Sequence, residues 1–386
     1  MLLRPTIGNE LRQDAFSASI DQIAQATPAP KKEVIEVVTH KWIRTCTSLL
    51  GVLGIAFSAT SCSSGSTKPA TVASTAVPPT TSTTSSSGVA GTSASPAALA
   101  VLQTIAAAPT ITTIPSNLTP PLQTFSDPSQ AKLASGVSSF GPCDAYGNPA
   151  RALHPAPCLL GDAQASRTIV LVGDSNVGNW VPGLDLGLKQ AGYRLAVFGF
   201  AGCPTPDLTY PSYAQLTPEL LSECNEWHAA TPPAIAALHP TAVIAASGTA
   251  DMTAISSAQW IAGFKKLFDD STVGAPSTVR ILLGTSPFPA PGPTCLAAHP
   301  NPQYCALHDG PGSGTFYSTF LDRDPKIAAA SGATLIRTYP WFCKSGTCSP
   351  IASNYLVFAD KDHVSVAYST FIAPVITEAV ISAING

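Results

Sequence analysis

Five short apolar runs constrain the fold of this chain more than anything else in it: Thr168–Val172, Arg194–Phe198, Thr241–Ala246, Val279–Leu283 and Ala333–Arg337. Each is rich in Val, Ile or Leu without strict alternation, the pattern of strands covered on both faces. Helix-like segments stand between and beside them, at Trp180–Gln190, Pro218–His228, Ala258–Asp269 and Thr319–Ala330, with a last one over Val366–Ala383. Such alternation predicts an α/β domain, a parallel sheet with helices on both faces. The texture begins near Ser139, and the roughly 245 residues that follow suffice for one such domain.

The chain ahead of that domain reads differently. Lys41-Trp42-Ile43-Arg44, the apolar stretch Leu49–Phe57 and Ser58-Ala59-Thr60-Ser61-Cys62 follow the layout of a signal peptide. The apolar stretch is shorter than the roughly 20 residues of a membrane span. Ala59-Thr60-Ser61-Cys62 resembles a bacterial lipobox, which would make Cys62 a lipidated mature N-terminus; ordinary signal cleavage and a signal anchor are the alternatives. Met1–His40 is polar, carries Pro28 and Pro30, and is unlike the start of a signal peptide. Translation from near Val37 or Val38 would remove it; otherwise it is a cytoplasmic tail. Residues 1–62 are therefore an extension plus signal peptide. Residues 63–138 are expected to be a tether. From Ser63 to Pro96 it is mostly Ser, Thr, Ala, Pro and Gly, too poor in large apolar groups to offset its ordering entropy. An O-glycosylated stalk has this composition. Within the tether, Ala97–Ala108 is a weakly helical apolar patch. Residues 139–386 are the folded domain.

Only 11% of the 386 residues are charged and the formal net charge is -3, with no basic block to grip phosphates, so nucleic acid is excluded as a partner. The 10 cysteines form no CxxC pair and no zinc-finger spacing. Eight fall in the domain. Eight cysteines allow about 105 pairings. Sequence neighbours are the expected ones, in keeping with an exported chain: Cys143–Cys158, Cys203–Cys224, Cys295–Cys305 and Cys343–Cys348.

Two motifs carry chemistry. Gly173-Asp174-Ser175 follows the first apolar run, which sets a serine hydroxyl at the carboxyl end of a strand, where open α/β sheets keep their reactive groups. Near the C-terminus stands Asp360-Lys361-Asp362-His363. Ser175 as nucleophile, His363 as base and Asp360 as the group that orients it would complete an acyl-transfer triad. GxSxG is absent, so this is not the usual α/β-hydrolase elbow. Asp174 is expected to brace the serine turn through backbone hydrogen bonds. Ser286-Pro287-Phe288-Pro289 is expected at the pocket mouth. Trp180 and Trp227 read as packing residues; His228, His239, His299 and His308 lack ligand spacing and read as surface or loop histidines.

Residues from about 139 to 386 resemble an SGNH (GDSL-like) hydrolase domain, and in particular the SGNH domains fused to membrane acyltransferase-3 proteins. Val172-Gly173-Asp174-Ser175 with Trp180, Gly202-Cys203-Pro204, Cys224-Asn225-Glu226-Trp227, Phe342-Cys343 with Cys348, and Phe358-Ala359-Asp360-Lys361-Asp362-His363-Val364-Ser365 carry the likeness. The resemblance implies a disulfide-stapled three-layer α/β/α sandwich with a flavodoxin-like sheet, a serine mechanism on acyl esters, and no metal or other cofactor. It maps the triad onto Ser175, Asp360 and His363, and the oxyanion hole onto the backbone N–H groups of Ser175 and Gly202. The family's third donor, an asparagine after the third strand, is missing from Ala246-Ser247-Gly248-Thr249-Ala250-Asp251. Ser247 or Thr249 is the expected substitute. The implied function is an exported serine esterase or O-acyltransferase acting on small, acetyl-type esters of envelope glycans. It would sit on the cell membrane as a lipoprotein or be secreted, with any acyl donor supplied by a separate membrane protein or by the substrate itself. A non-catalytic envelope glycan-binding protein on the same scaffold is the alternative.

Overall fold

The computed structural model describes residues 94–209, 216–248 and 255–386. The signal-peptide segment, Cys62, the tether up to residue 93 and Thr249 lie outside these residues.

A six-stranded sheet forms the centre, built from β1 (Cys158–Gly161), β2 (Thr168–Gly173), β3 (Arg194–Gly199), β4 (Ala242–Ala246), β5 (Val279–Leu283) and, past a two-residue β6 (Leu307–His308) in a separate small sheet, β7 (Thr334–Ile336). The order is β1-β3-β2-β4-β5-β7. The five expected strands pair in parallel, which is the flavodoxin-like order. Antiparallel β1 on the edge is an addition to them. Among the helices are α1 (Pro96–Ala107), α2 (Val181–Gln190), α3 (Pro218–Ala236), α4 (Ser257–Ser271), α5 (Phe316–Ser331), α6 (Val366–Phe371) and α7 (Ala373–Asn385).

The period of two in a strand divides the core. Ile169 and Leu171 of β2, Leu195 and Val197 of β3, and Ile244 of β4 join Leu184, Leu188, Ile376 and Val380 of α2 and α7 in one layer. Val170, Val172, Ala196, Phe198 and Val243 join Trp227, Phe264, Phe268 and Ile327 of α3, α4 and α5 in the other. With both faces covered, every residue of β2 is buried, which explains its unbroken apolar run. Four disulfides staple the loops, in the neighbour pairing Cys143–Cys158, Cys203–Cys224, Cys295–Cys305 and Cys343–Cys348.

Three expectations need correcting. The segment 94–138 does not behave as a tether: α1 lays Ala98, Val101 and Ile105 into the core, at the one-face spacing of a helix. Helix α3 does not stop at His228 but runs on through Pro232 and Pro233 to Ala236. The last helix is two, α6 and α7, meeting at Ile372.

Candidate active site

Strand β2 lies between β3 and β4, and the strand order turns around it, so the loops at its carboxyl end part and leave room for a ligand. It ends at Gly173, where the Ala246 carbonyl of β4 fills the place a Cβ would need. Asp174 then caps a short 3-10 turn, Ser175–Asn179. One carboxylate oxygen accepts from the Asn176 N–H at 2.8 Å. The other accepts from the Gly248 N–H at 2.7 Å and the Ser247 hydroxyl at 3.0 Å. The Asp174 N–H donates to Thr205 Oγ1 at 3.1 Å, and that hydroxyl donates to the Ala246 carbonyl at 2.9 Å. Burial pushes the Asp174 carboxyl above its usual range, against the pull of these donors. The serine turn is thereby tied to the ends of both neighbouring strands.

His363 and Asp360 arrive on the loop before α6. Asp360 accepts from the backbone N–H groups of Asp362 and His363, each at 2.7 Å, which folds the loop around its carboxylate. Both of its oxygens lie 3.0 Å from His363 Nδ1. The other ring nitrogen, Nε2, lies 2.9 Å from Ser175 Oγ. A proton on Nδ1 shared with Asp360 leaves the Nε2 lone pair facing the serine hydroxyl. Burial works against a charged imidazole, but Asp360 outweighs it and holds the His363 pKa above its ordinary value. Burial likewise opposes ionisation of Asp360, and His363 with the two N–H donors outweighs it in turn, so that carboxyl sits below its ordinary range.

A residue not singled out from the sequence joins these loops. Asn179, fully buried, donates through Nδ2 to Asn176 Oδ1 at 2.9 Å and to Ser286 Oγ at 3.1 Å. Its Oδ1 accepts from the Val364 N–H at 2.8 Å. One carboxamide therefore touches the residue after Ser175, the residue after His363 and the loop after β5. An Asn four residues past a serine carries no distinctive signal, because its partners are up to 185 residues away.

Gly202 lies in the turn after β3, with φ +79°, a left-handed conformation that suits glycine. Asp144, buried, accepts from the Ala201 N–H at 2.9 Å and so fixes this turn; burial raises its pKa to about 6. Among the described residues neither the Ser175 nor the Gly202 N–H is taken by a hydrogen bond.

The structure thus brings Ser175, His363 and Asp360 together and joins Asp174 to Ser247. Ser247, expected as a substitute oxyanion donor, instead directs its hydroxyl to Asp174. Trp180 and Trp227 are core residues, 1% and 2% exposed. His228, expected at the surface or in a loop, is instead buried inside α3, with Nδ1 accepting from the Leu208 N–H at 3.1 Å and Nε2 against Cys203 Sγ. Loss of solvent lowers its pKa to about 4. Its neighbours across the loop, not any spacing along the chain, keep it inside.

A family model described as the SGNH domain fused to AT3 domains matches residues 142–378. Among solved structures, the periplasmic domain of a lipopolysaccharide acetyltransferase from Salmonella ser. Paratyphi A is similar at 16% identity and a TM-score of 0.45, over 57% of this chain and 85% of that one. A family two carbohydrate esterase from Clostridium thermocellum, in complex with cellohexaose, is similar at 12% identity and a TM-score of 0.35, over 56% of this chain and 64% of that one. A putative GDSL-like lipase from Parabacteroides merdae is similar at 13% identity and a TM-score of 0.33, over 59% of this chain and 100% of that one. No curated protein matches.

Proposed function

The chain belongs to the SGNH-domain family, that of the SGNH domains fused to AT3 domains, and from that membership we propose that it is an exported serine esterase or O-acyltransferase acting on small acyl esters of envelope glycans. The observation that carries this reading is the line from Ser175 Oγ through His363 to Asp360, with contacts of 2.9 and 3.0 Å. In the proposed reaction His363 Nε2 takes the hydroxyl proton as Ser175 Oγ bonds to the acyl carbon. The carbonyl oxygen becomes an oxyanion facing the N–H groups of Ser175 and Gly202. The leaving alkoxide departs with the proton from Nε2, and an acyl-serine ester remains. Water or a sugar hydroxyl then gives its proton to Nε2 and attacks that ester, which releases the acid or a new ester and restores Ser175. Hydrolysis and transfer use the same residues; access of water or of an acceptor decides between them. Export is supported by the four disulfides, which persist in oxidising compartments. A lipid anchor at Cys62 and an acyl donor on a separate membrane protein complete the proposal.

The test is hydrolysis of p-nitrophenyl acetate by the full chain and by Ser175→Ala. The expected loss is about a thousandfold or more, since removing the nucleophile of a triad disables the whole unit. Equal rates would leave the glycan-binding alternative.

A further inference from the structure

A pair of aromatic rings stands on the rim of this site, and nothing in the reaction above uses it. The loop after β5, Gly284 to Gly292, is held at both ends by the candidate machinery. Ser286 Oγ accepts from Asn179 Nδ2 at 3.1 Å, and the Ala290 N–H donates to the Lys361 carbonyl at 2.9 Å. Phe288 is midway along the chain between an anchor on the serine turn, at Ser286, and one on the His363 loop, at Ala290. Helix α5 leads into β7, so in a parallel sheet its first turn lies at the carboxyl rim, where the loop after β5 also emerges. Its first residue is Phe316. The neighbouring Tyr317 hydroxyl donates to the Thr285 carbonyl at 3.1 Å, which binds that turn to the same loop.

The rings of Phe288 and Phe316 are 5.7 Å apart at 52°. Phe320, fully buried, meets Phe316 edge-on at 5.2 Å and supports it from below. Phe316 is nevertheless 48% exposed. A half-exposed phenyl on a rigid base forgoes burial free energy that a ligand can recover. Neither Gly284–Gly292 nor Phe316–Phe320 contains a charged residue, so these two segments bring no charge of their own to the ring pair. An exposed phenyl face backed by a second, tilted ring suits the apolar C–H face of a sugar ring.

We propose that Phe288 and Phe316 form a stacking subsite for a neutral pyranose ring of the acyl-bearing glycan, beside Ser175. This rests on the esterase reading above and names where its substrate docks. Three esters separate the contributions when compared on the full chain and on Phe316→Ala and Phe316→Tyr: methyl 6-O-acetyl-β-D-glucopyranoside, vinyl acetate and vinyl octanoate. Phe316→Ala is expected to lower kcat/KM on the sugar ester about fivefold more than on vinyl acetate, chiefly through KM, as fits one aromatic contact. Phe316→Tyr, which keeps the ring, is expected to retain the wild-type ratio. Equal losses on the sugar ester and vinyl acetate would mean a structural role and overturn the subsite. A loss confined to vinyl octanoate would assign the patch to an acyl chain and overturn it too. Saturation-transfer NMR with the same sugar ester on Ser175→Ala, with and without Phe316→Ala, reads the contact in the absence of turnover. Wild type no faster than Ser175→Ala on vinyl acetate would sink the esterase reading, while the NMR comparison still decides the subsite.

Discussion

At the scale of the residue, the pair Asp360–His363 sets how the site answers to pH. In the proposed reaction the neutral imidazole is the base, and its folded pKa is raised above the ordinary 6.5. As pH falls through that raised value the base is protonated, so kcat/KM is expected to drop on the acid side with an apparent pKa above 6.5. Asp360→Asn removes the charge that raises it. The acid limb should then move to lower pH, and the rate should fall by about a hundredfold or more as the ring loses its tautomer and orientation. A limb that stays in place in the variant would show that another group governs it. Asp360 keeps 46% of its side-chain surface open to solvent, so water screens part of its field, and its 3.0 Å contacts with Nδ1 supply the hold on the ring.

At the scale of the element, α1 is the piece that a boundary at residue 138 would leave out. Ser95 caps it, accepting from the Ala98 N–H at 3.2 Å, and the Ser95 N–H donates to the Glu378 carboxylate of α7 at 3.0 Å. Ile105→Ala is expected to destabilise the domain by about 2–5 kcal/mol in denaturant unfolding, as for other buried isoleucines. No change would mean that α1 is only laid on the surface. The contrast with β2 explains what could be read from the chain. Strands β2 to β5 declare themselves because burial on both faces requires apolar residues throughout. Helix α1 is alanine-rich and follows a Ser/Thr/Pro run, and its narrow stripe has meaning only against distant partners such as α7 and the segment around Cys343. Edge strand β1 is four residues long with Leu159 56% exposed, so it lacks both a run and an alternation. In α3 the pair Pro232-Pro233 reads as a stop, yet the helix continues past it. Within the site, Ser175, Asp360 and His363 were legible because a turn after a strand and a three-residue offset are local patterns. Asn179, Thr205 and Asp144 were not, since their bonds join loops distant in sequence.

For the whole molecule, the disulfides act on segments of 5 to 21 residues, each bridging near neighbours in the chain. Cross-linking restricts the unfolded chain more when the closed loop is longer. Replacing Cys203 and Cys224 by serine is therefore expected to cost about 1 kcal/mol more than replacing Cys343 and Cys348. Thermal or denaturant unfolding of the two double variants checks the order, and a reversed order would mean that native-state contacts outweigh chain entropy here. None of the four bridges links one end of the domain to the other, so the sheet order must come from the apolar faces. The active geometry has the same global origin. Ser175 and His363 are 188 residues apart in sequence. A ribosome makes the hydroxyl long before the imidazole proposed to activate it, so on that proposal a growing chain is chemically silent, and the ability to attack an ester arrives only with the segment before α6.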